Sequence, residues 1–197
     1  MVYIILISLT LGIAFGNFIS PEMFKDIDKI STIALNLLIF SVGVDIGLNK
    51  EVLTKIKKKG VKILLVPLAV VIGSLFGGLI VGLIFKLQTN LALAISAGFG
   101  WYSLSAVILT NLAGAEAGTV AFLSNVFREL LAVLSIGFIA SKINYITAIA
   151  PSGATAMDTT LPVISKFTDE ETVVIAFLTG TILTFLVPFL VPFFYNI

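Results

Sequence analysis

The sequence predicts an all-α polytopic membrane protein, because its composition is apolar and its apolar residues fall in long stretches. Hydrophobic residues make up 58% of the 197 positions, charged residues make up 12%, and the mean hydropathy is +1.14. The core of a soluble domain cannot enclose that much apolar surface. We therefore expect a single transmembrane domain over residues 1–197, with about five full transmembrane helices plus two broken or re-entrant segments. Seven full spans are the alternative.

Three apolar stretches lie in the first half of the chain, and a basic loop separates the second from the third. They cover residues 2–18, 31–48 and 63–85, and a helix of that length crosses a hydrocarbon core of about 30 Å. The loop at 49–63 contains half of all the Lys and Arg residues. The positive-inside rule places this loop and the N-terminus in the cytoplasm, and the C-terminus outside.

The third stretch also contains small residues at a spacing that favours close helix packing. Gly73 and Gly77 lie four residues apart and so share one face of the helix. Small residues at this spacing let the backbones of two helices approach closely. We expect a neighbouring helix to pack on this face.

Glycine and hydroxyl residues interrupt two of the four later apolar stretches. Residues 91–110 contain the run SAGFGWYSLS and residues 146–165 contain PSGATAMDTT, whereas 118–140 and 171–195 are uninterrupted. Non-helical backbone at membrane depth is tolerated only where protein or a water-filled cavity satisfies its polar groups. Paired broken segments of this kind are typical of a transporter whose binding site lies near the midplane.

Charged residues between these stretches favour re-entrant broken segments over spanning ones. If both segments are re-entrant, Lys142 and Lys166 lie in the cytoplasm and Glu116 lies outside. If all seven stretches cross, Lys142 and Glu116 change sides. The re-entrant arrangement obeys the positive-inside rule better, and both arrangements leave the C-terminus outside.

Four charged residues fall inside the apolar stretches and are candidates for binding. Asp45 lies near the end of the second stretch, and Asp158 lies in the second broken segment. Arg128 and Glu129 are adjacent, about 15 Å into the stretch that starts near residue 118. Three carboxylates against one guanidinium leave a formal charge of −2, which attracts cations. An ionisable side chain at membrane depth costs roughly 2.5–3.5 kcal/mol and is kept where it handles ions or polar substrates.

Arg128 and Glu129 are not expected to neutralise one another, because adjacent helical residues point about 100° apart. We expect each to meet a partner from another segment, with an ion pair as the structural alternative for Arg128. Hydroxyl and aromatic side chains in the two broken segments complete the candidate substrate or proton site: Thr155, Thr159, Ser103, Tyr102 and Trp101. For the two aromatic residues, an interfacial belt is the alternative role.

The residue types that the chain lacks exclude several kinds of chemistry. The sequence contains no Cys and no His, which removes disulfides, thiol catalysis, thiolate or imidazole metal sites and a catalytic histidine. We expect no enzyme activity, no cofactor, no metal and no nucleic-acid partner. An intramembrane aspartyl protease would need a glycine directly before its aspartate, but Val44 precedes Asp45 and Met157 precedes Asp158. A passive channel or a structural membrane subunit stays open as the alternative to a transporter.

Four runs taken together resemble the lysine exporter LysO family: LLIFSVGVDIG at 37–47, GFGWYSLS at 98–105, FREL at 127–130 and GATAMDTTLP at 153–162. This resemblance extends from about residue 35 to the end of the chain. It implies export of L-lysine and of its analogue thialysine across the inner (plasma) membrane, in exchange for protons. It also implies a functional intramembrane aspartate, which transfers best onto Asp158. From the residues alone, a site of carboxylates and hydroxyls suits Na⁺ as well as a proton.

The chain resembles a short form of this family. Typical members are similar to longer chains with an additional N-terminal group of helices, and split forms exist in which a small membrane protein supplies those helices. We therefore expect a small partner subunit or, as the alternative, a homo-oligomer within the lipid bilayer.

Overall fold

The computed structural model describes residues 61–197 continuously, together with eight isolated positions earlier in the chain. These eight are helical and exposed: Ile7, Leu11, Ala14, Phe15, Ile30, Ile33, Leu37 and Phe40. The rest of the first two predicted helices, the basic loop up to residue 60 and Asp45 lie outside the described residues. Every element that the structure describes is helical, which confirms the all-α prediction.

Six α-helices and three short 3₁₀ helices form residues 61–197. In chain order they are a 3₁₀ helix at Val61–Leu64, α1 at Leu65–Phe85, α2 at Thr89–Ser96, α3 at Tyr102–Ala113, α4 at Ala115–Lys142, 3₁₀ helices at Thr147–Ile149 and Gly153–Met157, α5 at Leu161–Phe167 and α6 at Glu170–Tyr195. The helices α1, α4 and α6 are long and apolar enough to cross a membrane, and they match the three uninterrupted stretches predicted in this part of the chain.

Local chemistry determines where the long helices begin and end. The carboxylate of Asp169 accepts a hydrogen bond from the Thr172 N–H at 2.8 Å and so caps the start of α6. Lys86 adopts a left-handed conformation with a φ of 55° and ends α1. Gly114, with a φ of 90°, joins α3 directly to α4.

The helix α2 packs closely against α1 through two glycines. Ser96 lies on Gly78, where a Cβ would overlap the serine hydroxyl, and Ala92 lies on Gly82, where a Cβ would come within 2.6 Å of the alanine methyl. Because the higher-numbered α1 glycine meets the lower-numbered α2 residue, the two helices run antiparallel. Glycine at these two positions therefore sets how deeply the first broken segment is held against α1.

The contact between α1 and α2 lies on a different face from the one that the sequence indicated. Within the described residues, Gly73 and Gly77 have no neighbouring atom within 4 Å, whereas Gly78 and Gly82 carry the contact with α2. Both pairs have the same four-residue spacing but lie on different faces of the helix. The spacing alone gives no reason to prefer one face over the other.

The first broken segment is re-entrant, and we call α2, α3 and the turn between them the first hairpin. At its start, the Asn90 side-chain amide donates to the main-chain oxygen of Tyr195, the last residue of α6, at 3.0 Å. At its end, α3 leads directly into α4, whose Val120 lines the same cavity as Phe85 at the end of α1. Both ends of the hairpin therefore lie at one end of the molecule, which we call the Lys86 end.

The second broken segment is re-entrant from the opposite end, which we call the Lys142 end. We call its two 3₁₀ helices and α5 the second hairpin. Ala140 near the end of α4 lines the same surface cavity as Thr172 near the start of α6. Phe167 at the end of α5 packs on Gly137 of α4, so the chain returns to the end from which it left.

A long helix followed by a re-entrant hairpin thus occurs twice, in opposite directions. The helix α1 with the first hairpin forms one unit, and α4 with the second hairpin forms the other. This arrangement is that of an inverted repeat, as in transporters with a site at the midplane. The helix α6 joins the two units, because its second half packs in a cluster with the first hairpin and its first half packs in a cluster with the second: Leu183, Val187 and Val191, and Ile175, Ala176 and Leu178.

The two ends of the molecule are predicted to face opposite sides of the membrane, and cysteine labelling tests this. The chain has no native cysteine, so each single variant carries one reactive thiol. We expect Lys142→Cys and Lys166→Cys to react with an impermeant maleimide only from the cytoplasmic side, and Glu116→Cys only from outside. Intact cells and inverted vesicles provide the two directions of access. Reversed labelling of Lys142→Cys and Glu116→Cys, which seven spans require, would contradict this arrangement.

Candidate functional site

The tips of the two hairpins meet inside the described structure. The main-chain N–H of Ala154 donates to the Phe99 carbonyl oxygen at 2.8 Å. Phe99 is fully buried and has a φ of 47°, and the glycines beside this contact, Gly100 and Gly153, have φ values of 102° and 61°. A Cβ at Gly153 would overlap the Phe99 oxygen. Glycine is therefore needed at Gly153 both for its conformation and for the close approach of the two tips.

Asn125 on α4 holds the first tip in place. Its Oδ1 accepts from the Gly100 N–H at 2.7 Å, and its Nδ2 donates to the Ala121 oxygen at 2.9 Å and to the Ser105 hydroxyl at 3.3 Å. Asn125 was not among the predicted site residues. The available signal was an amide at membrane depth, three residues before Arg128, which places both on neighbouring parts of one helix face.

Arg128, one turn further along α4, holds the second tip. Its Nε donates to the Pro151 oxygen at 3.0 Å, its Nη2 to the Ala150 oxygen at 3.3 Å, and its Nη1 to the Ser74 hydroxyl of α1 at 2.8 Å. These two carbonyls follow the 3₁₀ helix at Thr147–Ile149, where unsatisfied carbonyls carry partial negative charge. Arg128 therefore meets partners from other segments, as expected, and among the described residues these partners are main-chain oxygens and a hydroxyl in place of the carboxylate of the ion-pair alternative.

Seven of the nine predicted site residues line one central cavity of about 110 Å³ beside the joined tips. They are Trp101, Tyr102, Ser103, Glu129, Thr155, Asp158 and Thr159. Arg128 lines a different cavity, and Asp45 lies outside the described residues. The helix α4 begins at Ala115, earlier than predicted, so Arg128 and Glu129 lie in the middle of its 28 residues.

Glu129 supplies the buried carboxylate of the central cavity. Its side chain is only 7% exposed, and its Oε2 has no hydrogen-bond partner among the residues that the structure describes. A buried polar atom without a partner is costly, and a buried carboxylate is especially so. An acceptor atom in this position favours a proton or a cationic ligand.

Asp158 supplies the accessible carboxylate. It directly follows the 3₁₀ helix at Gly153–Met157, in a non-helical conformation with a φ of −137°. Its side chain is exposed, and its Oδ1 accepts from the main-chain N–H and the hydroxyl of Thr159. The hydroxyl of Thr155 donates to the Ser152 oxygen at 2.8 Å and not to Asp158.

The aromatic residues of the first tip form a wall of the cavity. Tyr102 is 8% exposed, and its ring meets that of Phe122 edge to face at a centroid distance of 5.6 Å. Trp101 is half-buried and packs against the hydrophobic cluster of the first hairpin. These positions fit a cavity wall and not an interfacial belt.

The size and charge of the central cavity limit what it can hold. Its volume is well below the roughly 300–1,000 Å³ of most small-molecule sites, so it fits an ammonium group or a few water molecules better than a whole amino acid. Two carboxylates that face one cavity repel each other, and a cation or proton between them relieves that repulsion. The cavity is therefore suited to cations.

Comparison with known proteins gives the chain a family. The family described as "Lysine exporter LysO" matches residues 6–195. The lysine exporter LysO of Escherichia coli (strain K12) is 40% identical over 166 residues, which cover 83% of this chain and 54% of the relative. A putative lysine exporter of Haemophilus influenzae is 39% identical over 161 residues, which cover 80% of each chain. No solved structure matches.

This chain spans about half the length of the E. coli relative and most of the length of the H. influenzae relative. The family match extends over nearly the whole chain and includes both hairpins and all three long helices described above. The chain therefore belongs to the LysO lysine exporter family.

Proposed function

We propose that this protein exports L-lysine, and its analogue thialysine, across the plasma membrane in exchange for protons. The observation that carries the proposal is the convergence of Glu129 and Asp158 on one small cavity between two re-entrant tips. The names of the two relatives support lysine as the substrate. Lysine carries an ammonium group on a flexible side chain, which suits a cavity with two carboxylates.

The two carboxylates have different surroundings and so suit different tasks. Asp158 is exposed and already oriented by Thr159, so we assign to it the binding of the substrate ammonium group. Glu129 is buried, and within the described part of the chain its Oε2 has no partner, so we assign to it the binding of the coupling proton. When both cations compete for one cavity, binding of one favours release of the other, which gives exchange.

Access to the cavity would alternate through movement of one hairpin against the other. One main-chain hydrogen bond, from Ala154 to Phe99, joins the tips directly, while Asn125 and Arg128 tie each tip to α4. Opposed hairpins around a fixed site are a known basis for alternating access. The positive-inside rule assigns the Lys142 end to the cytoplasm, which places the N-terminus inside and the C-terminus outside.

Lysine flux in proteoliposomes under an imposed pH gradient tests this function. We expect flux that saturates with lysine, stops when nigericin collapses the gradient, and persists when choline replaces Na⁺. Glu129→Gln is the matched variant: it should keep lysine–lysine exchange but lose the response to the gradient. Thialysine should compete with lysine.

The other outcomes distinguish the alternatives. Flux that does not saturate would favour a passive channel, and flux that requires Na⁺ would replace the proton as the coupling ion. Absence of flux from correctly inserted protein would favour a structural subunit that acts with a partner membrane protein.

A further inference from the structure

A second, larger cavity of about 460 Å³ lies between α1, α2 and α4. Phe85, Leu87 and Val120 line it near the Lys86 end, and Asn125 and Arg128 line it beside the hairpin tips. It therefore extends from the Lys86 end towards the middle of the molecule. Its volume falls within the range of small-molecule sites, unlike that of the central cavity.

The lining of this second cavity has the composition of a ligand site. Most of its surface is apolar, and a few polar groups converge near its inner end: Ser74, Ser96, Ser124, Asn125 and Arg128. Apolar walls with a small number of placed polar groups are typical of pockets that bind small molecules. Arg128 is the charged residue among those that line it, so the site favours an anionic group.

Arg128 has the capacity to bind such a group without leaving the second tip. A guanidinium has five N–H donors, and three of them are used by Pro151, Ala150 and Ser74. Two N–H groups remain without a protein partner in the part of the chain that the structure describes. Guanidinium groups recognise carboxylates particularly well.

We propose that the second cavity binds the carboxylate of the amino-acid substrate at Arg128, between the central cavity and the Lys86 end. This inference rests on the proposed function and adds a second subsite to it. Arg128 and Glu129 are adjacent on α4 but line different cavities. Arg128 gives the second cavity a positive charge, and Glu129 gives the central cavity a negative one. A basic amino acid carries both complementary charges, and the second cavity offers the volume that the central cavity lacks.

A matched pair of glycine variants tests this subsite without disturbing Arg128, which also holds the second tip. Gly77 lines the cavity and Gly73 does not, and no atom of the described residues lies within 4 Å of a Cβ built at either position. We expect Gly77→Leu to raise the half-saturating lysine concentration in proteoliposomes about tenfold or more, because filling a binding pocket removes well over 1.4 kcal/mol of affinity. Gly73→Leu should stay within about twofold of wild type. Val81→Trp narrows the same cavity from the next turn of α1 and should act like Gly77→Leu.

Lysinamide, which keeps both amines and lacks the carboxylate, identifies the group that is bound. Wild type should prefer lysine over lysinamide in competition, and Gly77→Leu should lose that preference. Equal flux in the two glycine variants, a defect in only one of the two cavity variants, or an equal loss for lysine and lysinamide would each overturn the subsite. If wild type transports no lysine, the proposed function fails and this inference fails with it. Wild-type transport with an unaffected Gly77→Leu variant would overturn the inference alone.

Discussion

Replacing Asp158 by asparagine is expected to reduce lysine flux about 100-fold while the protein stays folded and inserted. When bound lysine buries its pair with Asp158, loss of one partner costs roughly 2–5 kcal/mol, and about 2.7 kcal/mol corresponds to 100-fold. The variant should fold, because the side chain is exposed and the asparagine oxygen can still accept from the N–H and hydroxyl of Thr159. Flux is measured in proteoliposomes and folding by size-exclusion chromatography.

Glu116→Gln is the matched control for this variant. Glu116 is an exposed carboxylate in the first turn of α4 and does not line the central cavity. The same loss of one negative charge at this position should leave flux within about twofold of wild type, as is usual for surface substitutions. Unimpaired flux in Asp158→Asn, or an equal defect in Glu116→Gln, would remove Asp158 from the proposed mechanism.

The sequence indicated most of the residues that the structure brings together at the central cavity, because polar and charged side chains are conspicuous against an apolar background. Where glycine and hydroxyl residues interrupt a membrane stretch, the polar groups of the backbone need partners in protein or in a water-filled cavity. Both broken segments lie at the same cavity. Tyr102, Glu129 and Asp158 were therefore found by residue type and depth alone. The sequence shows no convincing internal repeat, so only the two broken segments indicated the inverted order of the two units.

The partners of the α4 side chains could not be predicted in the same way. Arg128 bonds to the main-chain oxygens of Ala150 and Pro151. Every residue has a main-chain oxygen, so the sequence cannot indicate which one serves as the partner. The second cavity depends on how three helices pack, and that packing depends on which glycine pair of α1 meets α2. Gly78 and Gly82 differ from Gly73 and Gly77 only in their tertiary surroundings.

The contact between the two tips is expected to depend on the absence of a side chain at Gly153. Gly153→Ala forces an L-residue into a φ of 61°, which costs about 1–2 kcal/mol. Its methyl group would also overlap the Phe99 oxygen, and such overpacking costs about 1–3 kcal/mol more. Together these terms predict that the free energy of unfolding falls by roughly 2–5 kcal/mol, with loss of flux, because the tips could no longer meet.

Gly114→Ala separates backbone strain from the tip contact. Gly114 also has a positive φ, of 90°, but a Cβ there would meet no atom of the described residues within 4 Å. This variant should lose only the strain energy, about 1–3 kcal/mol, and should keep its transport activity. Thermal unfolding in detergent and lysine flux are measured for both variants. If Gly153→Ala unfolds no more easily than Gly114→Ala and still transports lysine, then close contact between the hairpin tips is not required. Loss of flux in Gly153→Ala alone would instead show that transport requires the contact between the two hairpins, because both variants place a side chain at a positive φ and only Gly153→Ala adds the overlap with Phe99.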